Sequence, residues 1–424
     1  MNILILGSGG REHSIACAVK QNPKCRTLFV APGNAGISEI AACVPVDINN
    51  PDAVVHLAKE KSIDFVIIGP EMPLAKGVSD YLRHAGFCVF GPSAAAAKLE
   101  TSKHFAKKIC RSAGVPTANF DYFNQTHTAK YFLQDKSPPF VIKADGLAGG
   151  KGVTVAHDHK TAEEAIEAAF CFGAADDKSG LLIEEFLPGE EASFFVLCDG
   201  ENTLPIGTAQ DHKRVGDGDR GPNTGGMGAF SPATSITPDV EEKVLRKIIQ
   251  PTISELRRQG ITYQGVLYAG LMINEDDVHL VEYNVRFGDP EAQVLMFRLG
   301  GQILDLLLLA ASHQLKNAQV HWADDHAISV VLANRGYPLS FSPGSVIRGL
   351  DTLPRSRQAI CFHAGTAKRG EEVVAVGGRV LNATARAATL KEAHALAYGL
   401  IDSIDWPEGF CRRDIGRRAL ATQS

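Results

Sequence analysis

The chain has 424 residues, a length that predicts two to four packed domains rather than one hydrophobic core. Its hydrophobic content of 45% and charged content of 21% are those of a folded globular protein. A net charge of −5 offers no basic surface to nucleic acid, so any anionic substrate must be bound by local cations and backbone N–H groups.

Nine cysteines occur without a CxxC pair, which favours reduced thiols in the cytoplasm over a disulfide framework or a metal site. The N-terminus has no basic region before its short apolar run, which indicates a first strand and not a signal peptide. The longest apolar run, 303–311, contains Asp305 and is about half of the roughly 20 residues that cross a bilayer. We therefore expect a cytoplasmic protein that binds neither a membrane nor nucleic acid.

The first hundred residues alternate short apolar strands with helices, and a Gly/Pro turn follows each strand. This pattern predicts a doubly wound parallel sheet that binds ligands at the carboxyl ends of its strands. The predicted strands are 2–6, 27–30, 65–68 and 88–90, and the predicted helices are 11–21, 52–59 and 78–85.

The central region predicts a helix over 93–112 and then a small α+β lobe over 121–190. Further strands are expected at 192–197, 266–273 and 278–285, and helices at 239–259 and 301–312. The last hundred residues predict strands split by Gly and Pro, at 329–332, 359–363, 373–376 and 379–383, in a sandwich or partial barrel. A final helix starts at Thr389, where Glu392 completes a capping box. The expected domains are 1–103, 104–325 with 121–190 as a mobile lid, and 326–424.

The first Gly-rich turn, Gly7 to Glu12, ends a strand and opens a helix, so its N–H groups predict an anion site. A dinucleotide fingerprint requires Gly at position 12 and an acid at the end of the second strand. Glu12 and the sequence Val30-Ala31-Pro32 break both requirements, which disfavours NAD. A sugar phosphate bound by the turn and Arg11 remains, and so does a plain tight turn.

The second Gly-rich stretch, 141–153, lies between two strands and can fold as a flap over phosphates, with Lys143 and Lys151 supplying charge. It is not a Walker A loop, because Gly152 stands where Ser or Thr is required. The alternative is a solvated hairpin tip. In the stretch 183–191, a strand is followed by Pro188-Gly189, which indicates a hinge between lobes whose acidic side chains could contact a nucleotide. The alternative is a solvated strand end.

On the strand that contains 281–286, the side chains of Glu282, Asn284 and Arg286 alternate onto one face. A carboxylate and an amide oxygen are hard ligands suited to Mg²⁺, although a structural ion pair between Glu282 and Arg286 is an equal alternative. Residues 211–228, here named the Gly loop, contain six glycines among clustered charges. We expect this loop to form no packed element and to be functional.

In this order, these segments resemble those of ATP-grasp ligases, and in detail they resemble the glycinamide ribonucleotide synthetase family. The likeness covers nearly the whole chain, and the Gly loop together with RFGDPE is its most specific part. The matching segments are GSGGREH at 7–13, APGNAG at 31–36, GPE at 69–71, KADGLAGGKGV at 143–153, EEFLPGEEAS at 184–193, QDHKRVGDGDRGPNTGGMGAFSP at 210–232, RFGDPEAQ at 286–293, FHAGT at 362–366 and GGRVL at 377–381.

The resemblance implies that ATP phosphorylates glycine, and that the amine of 5-phosphoribosylamine then attacks the glycyl phosphate. The products are glycinamide ribonucleotide, ADP and phosphate, in an early step of purine synthesis. The implied cofactors are ATP and Mg²⁺ or Mn²⁺, and we expect a monofunctional enzyme that is a monomer or weak oligomer. Such a transfer requires alignment and charge cancellation rather than a protein nucleophile.

The resemblance also implies site residues. The nucleotide would be bound by Lys103, Lys143, the flap residues Gly149, Gly150, Lys151 and Gly152, the adenine clamp of Glu184 and the Leu187 backbone, and Glu190 or Glu191 at the ribose. The metal ligands would be Glu282 and Asn284. The glycine carboxylate and acyl phosphate would meet Arg286, Asp211, Lys213 and Arg214. Phosphoribosylamine and the remaining substrate contacts would fall to Gly9, Gly10, Arg11, Asn34, Asn223, Gly225 and Gly226.

Two residues depart from the family pattern, because Gly149 replaces an expected Ala and Val285 an expected Cys or Ala. A carboxylate for a second metal is also missing from the neighbouring strand, 268–273, and Asp289 is a possible substitute. Two alternatives remain open. One is a different ATP-grasp carboxylase or ligase, which bicarbonate-dependent ADP release would reveal, and the other is a nucleotide- or NAD-binding module without ligase activity.

Overall fold

The computed structural model describes residues 1–147, 152–172, 180–354 and 356–422. The N-terminal part forms a five-stranded sheet in the order β3-β2-β1-β4-β5, and every pair in it is parallel, as predicted. Its elements are β1 (Asn2–Gly7), α1 (Gly10–Lys20), β2 (Thr27–Pro32), β3 (Ala42–Cys43), α2 (Pro51–Glu60), β4 (Phe65–Ile68), α3 (Glu71–Ala75), α4 (Val78–His84) and β5 (Cys88–Phe90).

Both faces of this sheet are buried, because alternate residues of β1 enter two different cores. Leu4 and Leu6 pack in the cluster that contains residues of α2 and α4. Ile3 and Ile5 pack in the cluster that contains residues of α1. Helices therefore cover both faces, which confirms the doubly wound arrangement and explains the unbroken apolar strands.

The helix predicted over 93–112 is in fact two helices, α5 (Ala94–Thr101) and α6 (Lys103–Ala113). Ser102 between them has extended backbone, and its hydroxyl accepts the N–H of Phe105 as the N-cap of α6. The Asp145 carboxylate accepts a hydrogen bond from the Ser102 hydroxyl and, at 3.3 Å, from the N–H of His104. Asp145, 43 positions after Ser102, thus stabilises the start of α6. The periodicity of residues 93–112 alone therefore could not predict the break between the two helices.

A small lobe with its own hydrophobic core follows. Its four strands pair in the order β6-β9-β7-β8, and Ile142 and Ile166 are fully or almost fully buried between the sheet and a helix. The elements are β6 (Phe120–Phe123), α7 (Thr126–Leu133), β7 (Phe140–Ala144), β8 (Val153–Ala156), α8 (His159–Phe172) and β9 (Leu181–Glu185).

The central and C-terminal parts share one long antiparallel sheet in the order β16-β15-β10-β11-β14-β17-β22-β19. The central elements are β10 (Glu190–Asp199), β11 (Thr203–Asp211), β12 (Arg214–Gly216), β13 (Arg220–Asn223), β14 (Gly228–Ser231), α9 (Pro238–Val244), a π-helical turn (Leu245–Ile249), α10 (Gln250–Arg258), β15 (Gln264–Asn274), β16 (Asp277–Asn284), α11 (Glu291–Leu299) and α12 (Gln302–Ala311). The pairing of β14 with β17 joins the two regions.

The C-terminal strands pair in antiparallel fashion, and β18, β21 and β20 form a separate small sheet. The elements are β17 (His326–Asn334), β18 (Val346–Ile347), β19 (Ala359–His363), β20 (Thr366–Arg369), β21 (Glu372–Ala375), β22 (Arg379–Ala387), α13 (Leu390–Asp402), β23 (Gly409–Phe410) and α14 (Arg417–Thr422). The Thr389–Glu392 capping box is present, but α13 is not the last helix, since α14 follows it.

Among the described residues, no single helix has the length and apolar character to cross a membrane. Only α11 and α12 taken together pass that test, and the two helices meet at an angle of 106°.

The Gly loop contains a packed element, contrary to expectation, because β12 and β13 pair as a short antiparallel hairpin. The C-terminal segment anchors it through the buried guanidinium of Arg412. That group donates to the Arg214 carbonyl at 3.0 Å and to the Asp219 carboxylate at 2.9 Å, and it also pairs with Asp414. Asp414 in turn accepts the N–H of Gly218 at 2.8 Å. Charge pairing with a distant segment thus orders a glycine-rich stretch.

Replacing Arg412 with Met should therefore destabilise the protein. The substitution leaves Asp414 without its buried partner, a loss that costs about 3 kcal/mol of unfolding free energy. Urea unfolding would measure it against Arg413→Met, whose exposed partner Asp402 makes a surface pair worth less than about 1 kcal/mol. Equal stability of the two variants would contradict the anchoring role.

Candidate active site

A cleft of about 860 Å³ opens where the small lobe, helix α6, strands β15 and β16 and the Gly loop face one another. It brings together residues from Arg11 to Ala419, which lie 408 positions apart in the sequence. The predicted site residues that line it are Arg11, Lys103, Lys143, Gly152, Glu184, Leu187, Glu190, Glu191, Asp211, Lys213, Arg214, Asn223, Gly225, Glu282, Asn284 and Arg286.

The remaining predicted residues divide into two groups. Gly9, Gly10, Asn34 and Gly226 are described but do not line the cleft. Gly149, Gly150 and Lys151 lie outside the described residues, so the central part of the predicted flap stays a prediction.

Glu184 lies at the small-lobe side of the cleft, between two buried lysines. Its Oε2 atom is 2.9 Å from Nζ of Lys143 and 3.1 Å from Nζ of Lys107. Its Oε1 atom is buried and has no hydrogen-bond partner among the described residues. Because a buried acceptor without a partner is costly, this oxygen marks a place where a ligand N–H group fits.

Lys107 was not assigned from the sequence. It stands four positions after Lys103 on α6, a helical spacing that places both side chains on one face and could have revealed it. Burial lowers the pKa of both lysines, and acidic neighbours offset part of that effect. Lys103 donates to the Gly146 carbonyl at 2.9 Å, which fixes it at the start of the flap stretch.

Glu282 and Asn284 project from β16 into the same cleft, as their alternation predicts. Burial raises the pKa of Glu282, but the charges of Lys213, Lys143 and Lys103 outweigh it and hold that pKa below its usual value. In the described part of the chain, no group of three or more His, Cys, Asp and Glu side chains is arranged to bind a metal ion. One carboxylate and one amide oxygen fit a hard cation that takes its other ligands from phosphates and water.

Lys213 lies between two of the predicted acids. Its ammonium contacts the Glu191 carboxylate closely and is 3.7 Å from that of Glu282. Burial lowers the pKa of Lys213, but Glu191, Glu282 and Asp211 together raise it well above its usual value, so it stays charged. The lysine therefore bridges the predicted ribose acceptor and the predicted metal ligand.

The Arg286 guanidinium makes more side-chain contacts than the sequence predicted. Its Nε atom is 3.2 Å from the Glu71 carboxylate, and Nη2 is 2.8 Å from that of Glu100 and 3.2 Å from Oδ1 of Asn284. The predicted structural pair with Glu282 is not among these contacts. Glu71 and Glu100 come from α3 and α5, and sequence reasoning missed both, because nothing local links them to position 286.

Within the first Gly-rich turn, the Glu12 side chain binds a backbone N–H group that a ligand would otherwise use. This buried carboxylate accepts the Gly9 N–H at 2.7 Å and pairs with Nε of Arg11 at 2.6 Å. A Cβ at Gly69 would come within 2.1 Å of it. Glu12 therefore occupies the space and the donor that a dinucleotide phosphate would require.

The other groups predicted near this turn also have partners. Nη1 of Arg11 donates to the Phe287 carbonyl at 3.1 Å, and Asn34 donates to the Ser8 and His363 carbonyls. Beside Gly10, however, both amide atoms of Asn382 and Oε1 of Gln293 are buried without a hydrogen-bond partner among the described residues. The turn therefore lies next to unpaired polar groups that the sequence did not indicate.

A further acid, Glu291, lines the cleft from the start of α11. The Tyr268 hydroxyl donates to it at 3.0 Å and accepts the Ser193 hydroxyl at 2.8 Å. Burial raises the pKa of Glu291, and burial together with the surrounding carboxylates raises that of Asp211 well above its usual value. In both acids, burial favours the neutral carboxylic acid over the carboxylate. The RFGDPE motif contained Glu291, but its residue type alone assigned no role.

Asp289, suggested as a ligand for a second metal, already makes other contacts. Its carboxylate accepts from Nε2 of Gln293 at 2.9 Å and lies 3.6 Å from the Arg379 guanidinium. Burial raises the pKa of Asp289, but Arg379 and Arg11 outweigh it and lower the pKa overall. Its role in metal binding stays a prediction.

Family models match the chain in three consecutive segments. They are the N domain, the ATP-grasp (A) domain and the C domain of phosphoribosylglycinamide synthetase, which match residues 1–100, 101–292 and 327–418.

Similar proteins and solved structures agree with these matches. A phosphoribosylamine–glycine ligase of Mesorhizobium japonicum is 52% identical over 425 residues, with 100% of this chain and 99% of that protein covered. One of Vibrio cholerae is 48% identical over 429 residues, with 100% and 99% covered. The crystal structure of phosphoribosylamine–glycine ligase from Thermotoga maritima superposes with a TM-score of 0.84 at 33% identity, covering 98% of this chain and 100% of that one.

A more distant structure shares the fold alone. The biotin carboxylase domain of Hydrogenobacter thermophilus 2-oxoglutarate carboxylase superposes with a TM-score of 0.74 at 17% identity, covering 96% of this chain and 91% of that one. The three domain matches and the full-length relatives carry the assignment. The chain is therefore a member of the phosphoribosylglycinamide synthetase family.

Proposed function

We infer that this protein joins glycine to 5-phosphoribosylamine at the expense of ATP, in purine biosynthesis. ATP phosphorylates the glycine carboxylate and leaves as ADP. The amine of phosphoribosylamine then attacks the acyl carbon and loses a proton, phosphate leaves, and glycinamide ribonucleotide forms. The observation that carries this inference is that four lysines, from α6, β7 and the Gly loop, and the oxygens of Glu282 and Asn284 face one cleft. Such a transfer requires alignment and charge cancellation, which this arrangement provides.

For the nucleotide, we assign the phosphates to Lys103 and Lys143 and to the flap of Gly149, Gly150, Lys151 and Gly152. The unpaired oxygen of Glu184 suits the exocyclic amine of adenine, and the Leu187 backbone suits the ring edge. Glu191 or Glu190 would accept the ribose hydroxyls. Lys213 would then leave Glu191 and turn its charge toward the acyl phosphate.

Glu282 and Asn284 would bind the divalent cation that accompanies ATP in this family. We propose Mg²⁺ or Mn²⁺, which would neutralise phosphate charge. The glycine carboxylate would lie near Asp211, Arg214 and Arg286. Asp211 or Glu291 could accept the proton from the attacking amine, since burial raises the pKa of each.

Phosphoribosylamine would bind between the first Gly-rich turn and the Gly loop. Gly9, Gly10, Arg11 and Asn34 would form one side, and Asn223, Gly225 and Gly226 would form the other. The unpaired amide of Asn382 beside Gly10 supports this placement, because its N–H donors suit a phosphate or a ribose hydroxyl. We further propose a cytoplasmic enzyme, monomeric or weakly associated, with domains 1–103, 104–325 and 326–424 and a lid at 121–190.

A phosphate-release assay tests the reaction directly. Purified protein with ATP, glycine and phosphoribosylamine should release phosphate continuously, and omission of either glycine or phosphoribosylamine should stop turnover, because each supplies one half of the new amide. Mass spectrometry of the product should identify glycinamide ribonucleotide. Phosphate release that requires bicarbonate and ignores glycine would instead establish the carboxylase alternative.

The metal assignment is tested by Glu282→Gln, which keeps the shape of the side chain but removes its charge. Loss of a hard anionic ligand should lower kcat by at least about 100-fold. Electron paramagnetic resonance of Mn²⁺ with a non-hydrolysable ATP analogue should show weaker Mn²⁺ binding by at least about tenfold.

The matched control is Glu201→Gln, which changes an exposed acid paired with Arg257 at the protein surface. This variant should bind Mn²⁺ and turn over as the wild type does. If Glu282→Gln binds Mn²⁺ as tightly as this control, the metal ligands lie elsewhere.

A further inference from the structure

Arg379, the first residue of β22, joins the C-terminal region to two segments of the cleft. Its Nη1 atom donates to the carbonyls of Gly225 at 2.5 Å, Gly226 at 3.2 Å and Asp289 at 2.5 Å. Its Nη2 atom lies 3.6 Å from the Asp289 carboxylate. One guanidinium therefore connects the Gly loop with the turn before α11, and its side chain is only 21% exposed.

The two glycines at this junction are required by how closely the segments approach. A Cβ on Gly225 would be 2.9 Å from Cζ of Arg379, and one on Gly226 would be 2.5 Å from Cδ of Pro290. Gly226 also has a φ of +111°, which favours glycine. The Gly225 N–H donates to the Tyr337 hydroxyl at 3.1 Å, so a second C-terminal side chain fixes the same point.

The two segments that Arg379 joins contact the residues proposed to bind the acyl phosphate and those proposed to bind the amine. On the Gly loop, Thr224 donates to the Lys213 carbonyl through its N–H and its hydroxyl, both at 2.8 Å. On the turn, the Asp289 carboxylate accepts the Arg11 N–H at 3.4 Å, and Glu291 follows two residues later. A shift at Arg379 would therefore move the first Gly-rich turn relative to Lys213.

We propose that Arg379 is a positioning residue for transfer of the glycyl group to phosphoribosylamine, an inference that rests on the proposed function. It acts through the three carbonyls, and so sets the distance between the amine-binding side of the cleft and the acyl phosphate side. A lysine at this position has a shorter side chain and no second nitrogen to lie beside the Asp289 carboxylate, so it can replace only part of these contacts.

The experiment compares Arg379→Met and Arg379→Lys with Arg369→Met, a control in which an exposed arginine is lost from β20. Steady-state kinetics are measured with phosphoribosylamine and, separately, with hydroxylamine as a small acceptor of the glycyl group. A misplaced acceptor should lower kcat with phosphoribosylamine by about 100-fold in Arg379→Met, and KM values should stay within about threefold. Arg379→Lys should recover only part of this loss, and hydroxamate formation should stay near the wild-type rate in all variants.

Four results would overturn the proposal. A rise in the KM for phosphoribosylamine with kcat unchanged would mean that Arg379 binds this substrate directly. Equal losses with both acceptors, or a lower melting temperature in Arg379→Lys, would mean a general structural role. Wild-type kinetics in Arg379→Met would mean no role. If the wild type itself forms no hydroxamate from ATP, glycine and hydroxylamine, the proposed function fails instead.

Discussion

Charge pairing between lysines and carboxylates in the cleft is the interaction on which the rest of the site depends. Lys107 and Lys143 share one oxygen of Glu184, and Lys213 bridges Glu191 and Glu282. Removing such charges from water costs several kcal/mol each unless a partner offsets it. Glu191, Glu282 and Asp211 outweigh the effect of burial on Lys213 and raise its pKa, and Lys213, Lys143 and Lys103 outweigh the effect of burial on Glu282 and lower its pKa.

A triphosphate that enters this cleft competes for the same lysines. Each phosphate oxygen that takes a lysine from its carboxylate leaves that carboxylate to find another cation or a hydrogen-bond donor. Glu282 could then turn to a divalent cation, Glu191 to ribose hydroxyls, and Glu184 to the adenine amine. Under the proposed assignments, the resting ion pairs would hold these side chains near their positions in the nucleotide complex, which would lower the reorganisation needed on binding.

Much of the scaffold was predictable from the sequence, because local patterns specify it. The apolar strands of the first domain, the alternation of 282, 284 and 286 and the capping box at Thr389 all follow from short-range geometry. The residues that were missed share the opposite property. Glu71 and Glu100 reach Arg286 across roughly 190 to 215 positions of sequence, and Asp145 caps a helix that begins at Lys103. The hydrophobic periodicity or motif of a single segment does not predict such a long-range contact.

Two apparent departures from sequence patterns have the same physical explanation. Glu12 breaks the dinucleotide fingerprint, yet its carboxylate holds the turn by accepting the Gly9 N–H and pairing with Arg11. On the strand beside β16 no acid faces the cleft, but Tyr268, opposite Asn284, directs its hydroxyl to Glu291 at the start of α11. Because this acid belongs to a helix and is oriented by a tyrosine, the sequence of the strand alone does not predict it. Because the cleft is built at the meeting of separate elements, its chemistry depends on which side chains arrive there rather than on which segment supplies them.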